Sequence, residues 1–317
     1  MLYRLIKIPA RIAFSLYCRH LIVKRIECLK YEGPLLIASN HPNSFLDAIV
    51  VDTLFKSPVT SLTRGDVFQN KIFSRILHSL HMLPIYRVSE GAENLEQNYA
   101  TFDLCNKIFL KKGIVLIFSE GGCTNEWHLR SLKKGTARLA ISAWKQGIPL
   151  KVLPLGINYS CFRKFGKNIW LNFGSLISVD KIPEQLDSGK AFSSFNNLLR
   201  DELKELVYEV DENNEEAISD QFHIPVPAWK MILLFFPAAL GYIFHSPLYY
   251  AVRWVVRKNP NDHYDSIMVG MLFFLYPFYL GILTTVLYYV TGSAISLLLP
   301  VIMPVTAWSL LQVIKDV

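Results

Sequence analysis

The sequence predicts an α/β fold with a mainly parallel sheet and flanking helices, preceded by a basic amphipathic N-terminal helix and followed by a C-terminal membrane-embedded helical region. Three observations carry this reading. Short apolar runs of buried-strand type alternate with helix-patterned segments between residues 30 and 210, as in sheets whose parallel strands are joined by crossover helices. Residues 266–314 contain no Asp, Glu, Lys, Arg or His. Apolar residues make up 51% and aromatic residues 13% of the 317 positions, more than an ordinary soluble domain carries.

At the start of the chain, Arg4, Lys7, Arg11, Arg19, Lys24 and Arg25 are interleaved with Leu2, Ile6, Ile8, Ile12, Phe14, Leu16 and Leu21. This predicts an amphipathic helix over 1–29 suited to an anionic lipid surface; a helix packed on the domain with a solvated basic face is the other reading. Charges interrupt any long apolar core and no small-residue cleavage site follows, so the segment does not read as a secretory signal and the protein is expected on the cytoplasmic side. The formal charge is +7, from 33 basic and 26 acidic residues. Five scattered cysteines without a C-x-x-C pair fit a reducing compartment and predict no zinc site.

The α/β domain is expected over 30–210. Gly33-Pro34 turns the chain into a strand at Leu35–Ser39, followed at once by Asn40-His41-Pro42-Asn43-Ser44 and a helix from about Phe45 to Phe55. Further strands read at Val59–Thr63, Leu83–Tyr86, Ile114–Phe118, Lys151–Ile157 and Ile169–Phe173. Helices read at Phe68–Leu80, Ala92–Leu110, Lys134–Lys145 and Phe192–Val210. In such folds the site lies at the carboxyl ends of the strands. Three of those ends carry unusual polar residues: Asn40-His41, Arg87, and Ser119-Glu120-Gly121-Gly122.

An acidic, proline-containing linker is expected over 211–228 and a membrane domain over 229–317. About 20 apolar residues cross a bilayer, so 266–314 suffices for a transmembrane hairpin, 267–290 and 293–314, turning near Thr291-Gly292-Ser293. The apolar segment 231–252 is long enough to span, yet it contains Pro237, Gly241, His245 and Pro247 and leads into Arg253, Arg257 and Lys258. A spanning segment would place that basic loop outside, against the positive-inside rule, so an interfacial or re-entrant segment is expected.

Transfer of an acyl group from a thioester to an alcohol needs a base for the hydroxyl proton, a task that suits histidine at neutral pH. A carboxylate that orients the ring completes the pair. His41 and Asp47 offer both, provided His41 sits in the loop before the helix, because six residues within a helix place two side chains about 240° apart. Ser44-x-x-Asp47 can equally be read as a capping box.

These segments resemble the glycerol-phosphate acyltransferase superfamily. Asn40-His41 through Asp47 is similar to its first block, N-H-x-x-x-x-D, with five residues between His and Asp in place of four. That spacing is the one associated with a glycerol-3-phosphate and dihydroxyacetone-phosphate subgroup whose block reads His-Pro-Asn-x-Phe-x-Asp. Leu83-Pro84-Ile85-Tyr86-Arg87 resembles the second block, Phe118-Ser119-Glu120-Gly121-Gly122 the third and Val152-Leu153-Pro154-Leu155-Gly156-Ile157 the fourth. The resemblance implies a base at His41 oriented by Asp47, and an acceptor site at Asn43, Arg87, Glu120, Gly121 and Gly122. It also places Pro154 on the acyl-donor side. The usual Thr-Arg after Glu-Gly is Gly122-Cys123 here, so the phosphate-pairing role passes to Arg130, Lys133, Lys134 or Arg138 downstream.

The expected activity is O-acyl transfer from acyl-CoA or acyl-ACP to glycerol-3-phosphate or 1-acylglycerol-3-phosphate in phospholipid synthesis. No metal, further cofactor or nucleic acid is called for, and membrane lipids are the expected surroundings. No P-loop, dinucleotide fingerprint, H-E-x-x-H or G-x-S-x-G elbow is present. Three other readings stay open: the same chemistry on another hydroxylated acceptor such as a lyso-aminolipid, a hydrolase with Ser44 as nucleophile, and an inactive lipid-binding protein.

Overall fold

The computed structural model describes residues 2–87, 96–182, 189–257 and 261–314. In chain order the elements are α1 (Leu2–Ser15), β1 (Cys18–Lys24), β2 (Leu35–Ser39), α2 (Phe45–Leu54), β3 (Val59–Arg64), α3 (Lys71–Ser79), β4 (Met82–Ile85), α4 (Gln97–Leu110), β5 (Ile114–Phe118), α5 (Gly135–Lys145), β6 (Lys151–Tyr159), β7 (Lys167–Phe173) and α6 (Gly189–Leu206). They are followed by α7 (Glu215–Phe222), α8 (Ala228–Val256), α9 (Tyr264–Thr291) and α10 (Leu299–Val313). The start expected for the fourth helix, from Ala92, lies outside the described residues.

One seven-stranded sheet runs β1-β7-β6-β2-β5-β3-β4. Strand β2 pairs in parallel with both β5 and β6, and β3 with both β4 and β5. Seven residues link β6 to β7, too few for a crossover, so this edge of a mainly parallel sheet closes as a hairpin. The α/β class read from the sequence is the class observed. Leu36, Ala38, Val115, Ile117 and Val152 bury one face of the sheet against Phe102, Phe109, Ala140, Trp144, Phe195 and Leu199. Leu35 and Ile37, pointing the opposite way in the pleat, are equally inaccessible. Burial on both faces explains why these strands read as unbroken apolar runs.

Two expectations about the flanking segments are corrected. The single helix over 1–29 ends at Ser15; Cys18–Lys24 instead forms the edge strand β1 beside β7, a pairing that suits β-branched Ile22-Val23 and overrides the helical charge pattern. The linker over 211–228 holds a helix, α7, whose cap residue Asn214 accepts from Ala217 N at 3.0 Å and whose Phe222 is fully buried.

The chain falls into two compact units, Met1–Lys7 with Ile22–Asn158 and Trp170–Val210, and Ile8–Leu21 with Tyr159–Ile169 and Asp211–Val317. In the second unit, among the described residues, three helices are long and apolar enough to cross a membrane: Ala228–Val256, Tyr264–Thr291 and Ala294–Val313. The last two follow one another through a turn at Gly292, whose φ of 64° is open to glycine without strain. The segment expected to be interfacial or re-entrant is one continuous helix of 29 residues, so it is not broken at mid-depth as a re-entrant segment would be. Helix α8 packs along α10, and a Cβ on Gly241 would lie 2.3 Å from Thr306 O: the absent side chain is what lets the two backbones approach. Beside these helices Lys167, fully buried, forms an ion pair with fully buried Asp265, which also accepts from Tyr17 Oη at 2.8 Å.

Candidate active site

Strand register builds the site. Ser39 is level with Phe118 on one side and Leu155 on the other, so the residues that follow β2 and β5 emerge together at one sheet edge. Buried Asn40 locks this edge, donating from Nδ2 to Ile157 O at 2.9 Å and accepting from Ile157 N at 2.8 Å. His41 therefore leaves β2 in a fixed direction. Its ring stacks on Phe118, with centroids 3.8 Å apart and planes 9° from parallel.

His41 sits in the loop and Asp47 in the first turn of α2, and the two side chains meet: His41 Nδ1 lies 2.8 Å from Asp47 Oδ2. The same carboxylate oxygen accepts from Asn43 N at 2.9 Å. An ionised carboxylate only accepts, so it fixes the proton on Nδ1 and leaves Nε2 with the lone pair. Asp47 has no exposed side-chain surface, whereas His41 keeps 18% of its own: the orienting group is sealed and the ring is reachable. The capping-box reading does not hold, because no hydrogen bond from the Ser44 side chain caps α2. Ser44 has φ 52°, a left-handed conformation that costs a non-glycine residue about 1–3 kcal/mol and is found at functional sites. Its N–H meets Cys123 Sγ at 2.9 Å.

Glu120 ties the loops together. Its Oε2 accepts from His41 N and its Oε1 from Arg130 N, both at 2.8 Å. Burial pushes its carboxyl above the ordinary 4.5, against the two amides and the nearby His41 and Arg130, which act to lower it. A folded value above the unfolded one means that the proton is held more tightly in the native state. Glu120's contribution to stability is then fullest below about 4.5 and is lost as pH rises through the folded value. Glu120→Gln is expected to flatten that fall in the thermal midpoint between pH 4.5 and neutrality. At pH 7 it should also lower stability by about 1–3 kcal/mol, because an amide NH2 then faces one of the two buried donors.

Two guanidinium groups converge on the glycine turn. Arg87 Nη1 donates to Gly121 O at 3.1 Å, and a Cβ on Gly122 would lie 3.6 Å from Arg87 Nη1 and 4.0 Å from Arg130 Nη1. Arg130 Nη1 also donates to Thr124 Oγ1 at 2.6 Å. Gly121 has φ 69° and faces the Lys133 side chain, whose Cγ would meet its Cβ at 2.8 Å. Of the four cations considered downstream, Arg130 and Lys133 are thus brought to the turn. Lys134 stands at the start of α5 and Arg138 one turn further along it. Pro154 lies within β6, level with Ala38 of β2. The Phe118 stack, the Asn40 lock and the Glu120–Arg130 bond carried no signal in the spacing of the motifs, since each depends on which strands become neighbours.

Residues 20–158 match the family model described as Acyltransferase. Over that stretch the chain is similar to acyltransferases. All four sequence blocks lie inside the matched stretch, and the resemblance to the glycerol-phosphate acyltransferase superfamily stands. No curated protein matches the chain. Among solved structures, the chain is similar to the 1-acyl-sn-glycerophosphate (LPA) acyltransferase PlsC from Thermotoga maritima. The identity is 11% and the TM-score 0.44, with 65% of this chain and 78% of that one covered.

Proposed function

We propose that this acyltransferase moves a fatty acyl group from acyl-CoA or acyl-ACP to a hydroxyl of glycerol-3-phosphate or 1-acylglycerol-3-phosphate. The observation that carries the reading is the oriented His41–Asp47 pair, 2.8 Å apart, at the same sheet edge as the guanidinium groups of Arg87 and Arg130. His41 Nε2 takes the hydroxyl proton as the acceptor oxygen attacks the thioester carbonyl, and Asp47 stabilises the imidazolium. The Gly122 amide stabilises the oxyanion, since Gly121 N already donates to Phe118 O at 3.2 Å. As the C–S bond breaks, the leaving thiolate takes the proton from the ring. Arg87 and Arg130 hold the acceptor phosphate, a task that suits their planar forks; Arg130 stands in for the arginine missing beside Gly122. Asn43, Lys133 and Lys134 complete the acceptor side, and Pro154 belongs to the donor side.

The helices α8 to α10 would keep this chemistry at a membrane, with the acyltransferase domain on the cytoplasmic side. Arg19 donates to Ile224 O ahead of α8, and Phe165 meets Tyr249 late in α8. The chain just before α8 and the late part of α8 thus reach one strand-and-loop region, which favours α8 lying along the interface while α9 and α10 cross.

The test is thiol release from acyl-CoA with a panel of acceptors. Arg87→Ala and Arg130→Ala are each expected to raise KM for glycerol-3-phosphate by about tenfold to a hundredfold, as for loss of a charge-assisted hydrogen bond, with a smaller change in kcat. Rates indifferent to the acceptor's phosphate would overturn the acceptor assignment and favour another hydroxylated lipid, such as a lyso-aminolipid.

A further inference from the structure

We propose that the second unit binds an anionic glycerophospholipid, with hydrocarbon in a half-open apolar cavity and phosphate at Arg163, Lys164 and Arg253. The cavity measures about 570 Å³ and is lined by the apolar side chains of Ile12, Leu16, Leu272, Phe273 and Leu310 among others, a size typical of small-molecule sites. It shares no residue with the His41 site.

Three features select the ligand class. First, the depth of the cavity asks for no polar ligand atom. Its one histidine, His245, donates from Nδ1 to Gly241 O at 2.7 Å, which leaves Nε2 to accept from Tyr276 Oη at 2.9 Å. A largely apolar space whose histidine is satisfied from within disfavours water and suits an acyl chain. Second, the lining includes three cations, all exposed, and no carboxylate. Asp265, the acidic group at the start of α9, is held by Lys167 and Tyr17. A basic lining without a carboxylate, beside a hydrocarbon slot, matches a phosphate headgroup and discriminates against a zwitterion, whose own cation it would repel. Third, the helices that enclose the slot show apolar outer faces, with Phe278 72% and Ile232 79% exposed, so a chain can enter from a bilayer without crossing water.

The test uses the full-length protein in phosphatidylcholine vesicles carrying a trace of phosphatidylglycerol with a diazirine in its acyl chain, or the matching phosphatidylcholine probe. After photolysis the labelled residues are mapped. Residues of α8, α9 and α10 that line the cavity are expected to take up the anionic probe about tenfold or more over the zwitterionic one, the order that three basic groups at an anionic headgroup provide. Unlabelled phosphatidylglycerol should compete in the parent protein, a readout that needs no variant. The triple variant Arg163→Gln, Lys164→Gln, Arg253→Gln should lose most of the preference while total labelling stays. Equal labelling by the two probes, labelling confined to the outer helix faces, or no competition would each overturn the proposal.

Discussion

His41→Ala lowers acyl-CoA-dependent thiol release with a glycerol-phosphate acceptor by on the order of a hundredfold or more, the usual contribution of a positioned general base. The size follows from how completely the ring is prepared. Asp47 fixes the proton on Nδ1, Phe118 supports one face, and the backbone beneath is held by Glu120. The substitution removes a part-exposed side chain and leaves the buried carboxylate its bond from Asn43 N, so the loop should survive and the loss should fall on kcat. A variant within a few-fold of the parent would mean that another group takes the proton.

The largest effect on stability is expected far from this chemistry. Lys167→Met strands the carboxylate of Asp265, and Asp265→Asn strands the ammonium of Lys167; both side chains are fully buried. Breaking a buried pair from one side costs about 3–5 kcal/mol, whereas removing both charges together is often close to neutral. Each single variant should therefore unfold at a markedly lower temperature in detergent, and Lys167→Met combined with Asp265→Asn should recover most of the loss. The asparagine keeps an acceptor for Tyr17, which donates to Asp265 at 2.8 Å in the parent. Additive losses in the double variant would show that the two groups do not act as a pair.

Much of the acyltransferase domain was legible because its central strands are buried on both faces. Leu35–Ser39 and Ile114–Phe118 could be placed to the residue. Helix geometry set the condition for the His41–Asp47 encounter: six residues cannot meet along a helix, so the pair could form only with His41 in the loop before it. What could not be read depended on partners distant in sequence. Cys18–Lys24 carries the charge spacing of a helix and becomes a strand only because β7, about 150 residues on, offers an edge. Arg130 was one of four equivalent cations until the fold drew its amide to Glu120. Helix α7 is a different case, since Asn214 is a good cap residue and the acidic, proline-containing run around it reads as linker. In α8, Pro237 and Pro247 counted against continuity, yet the helix runs through both, as proline-containing helices do where neighbouring helices compensate.

The bonding of Glu120 has a mechanical consequence. One oxygen carries the amide of the residue expected to take the proton, and the other carries the amide of a residue expected to seat the phosphate. Two loops 89 residues apart in the chain thus hang from a single rigid bracket, and neither can shift without dragging its opposite number. Settling of an acceptor against one arm would be felt as a realignment of the imidazole on the other.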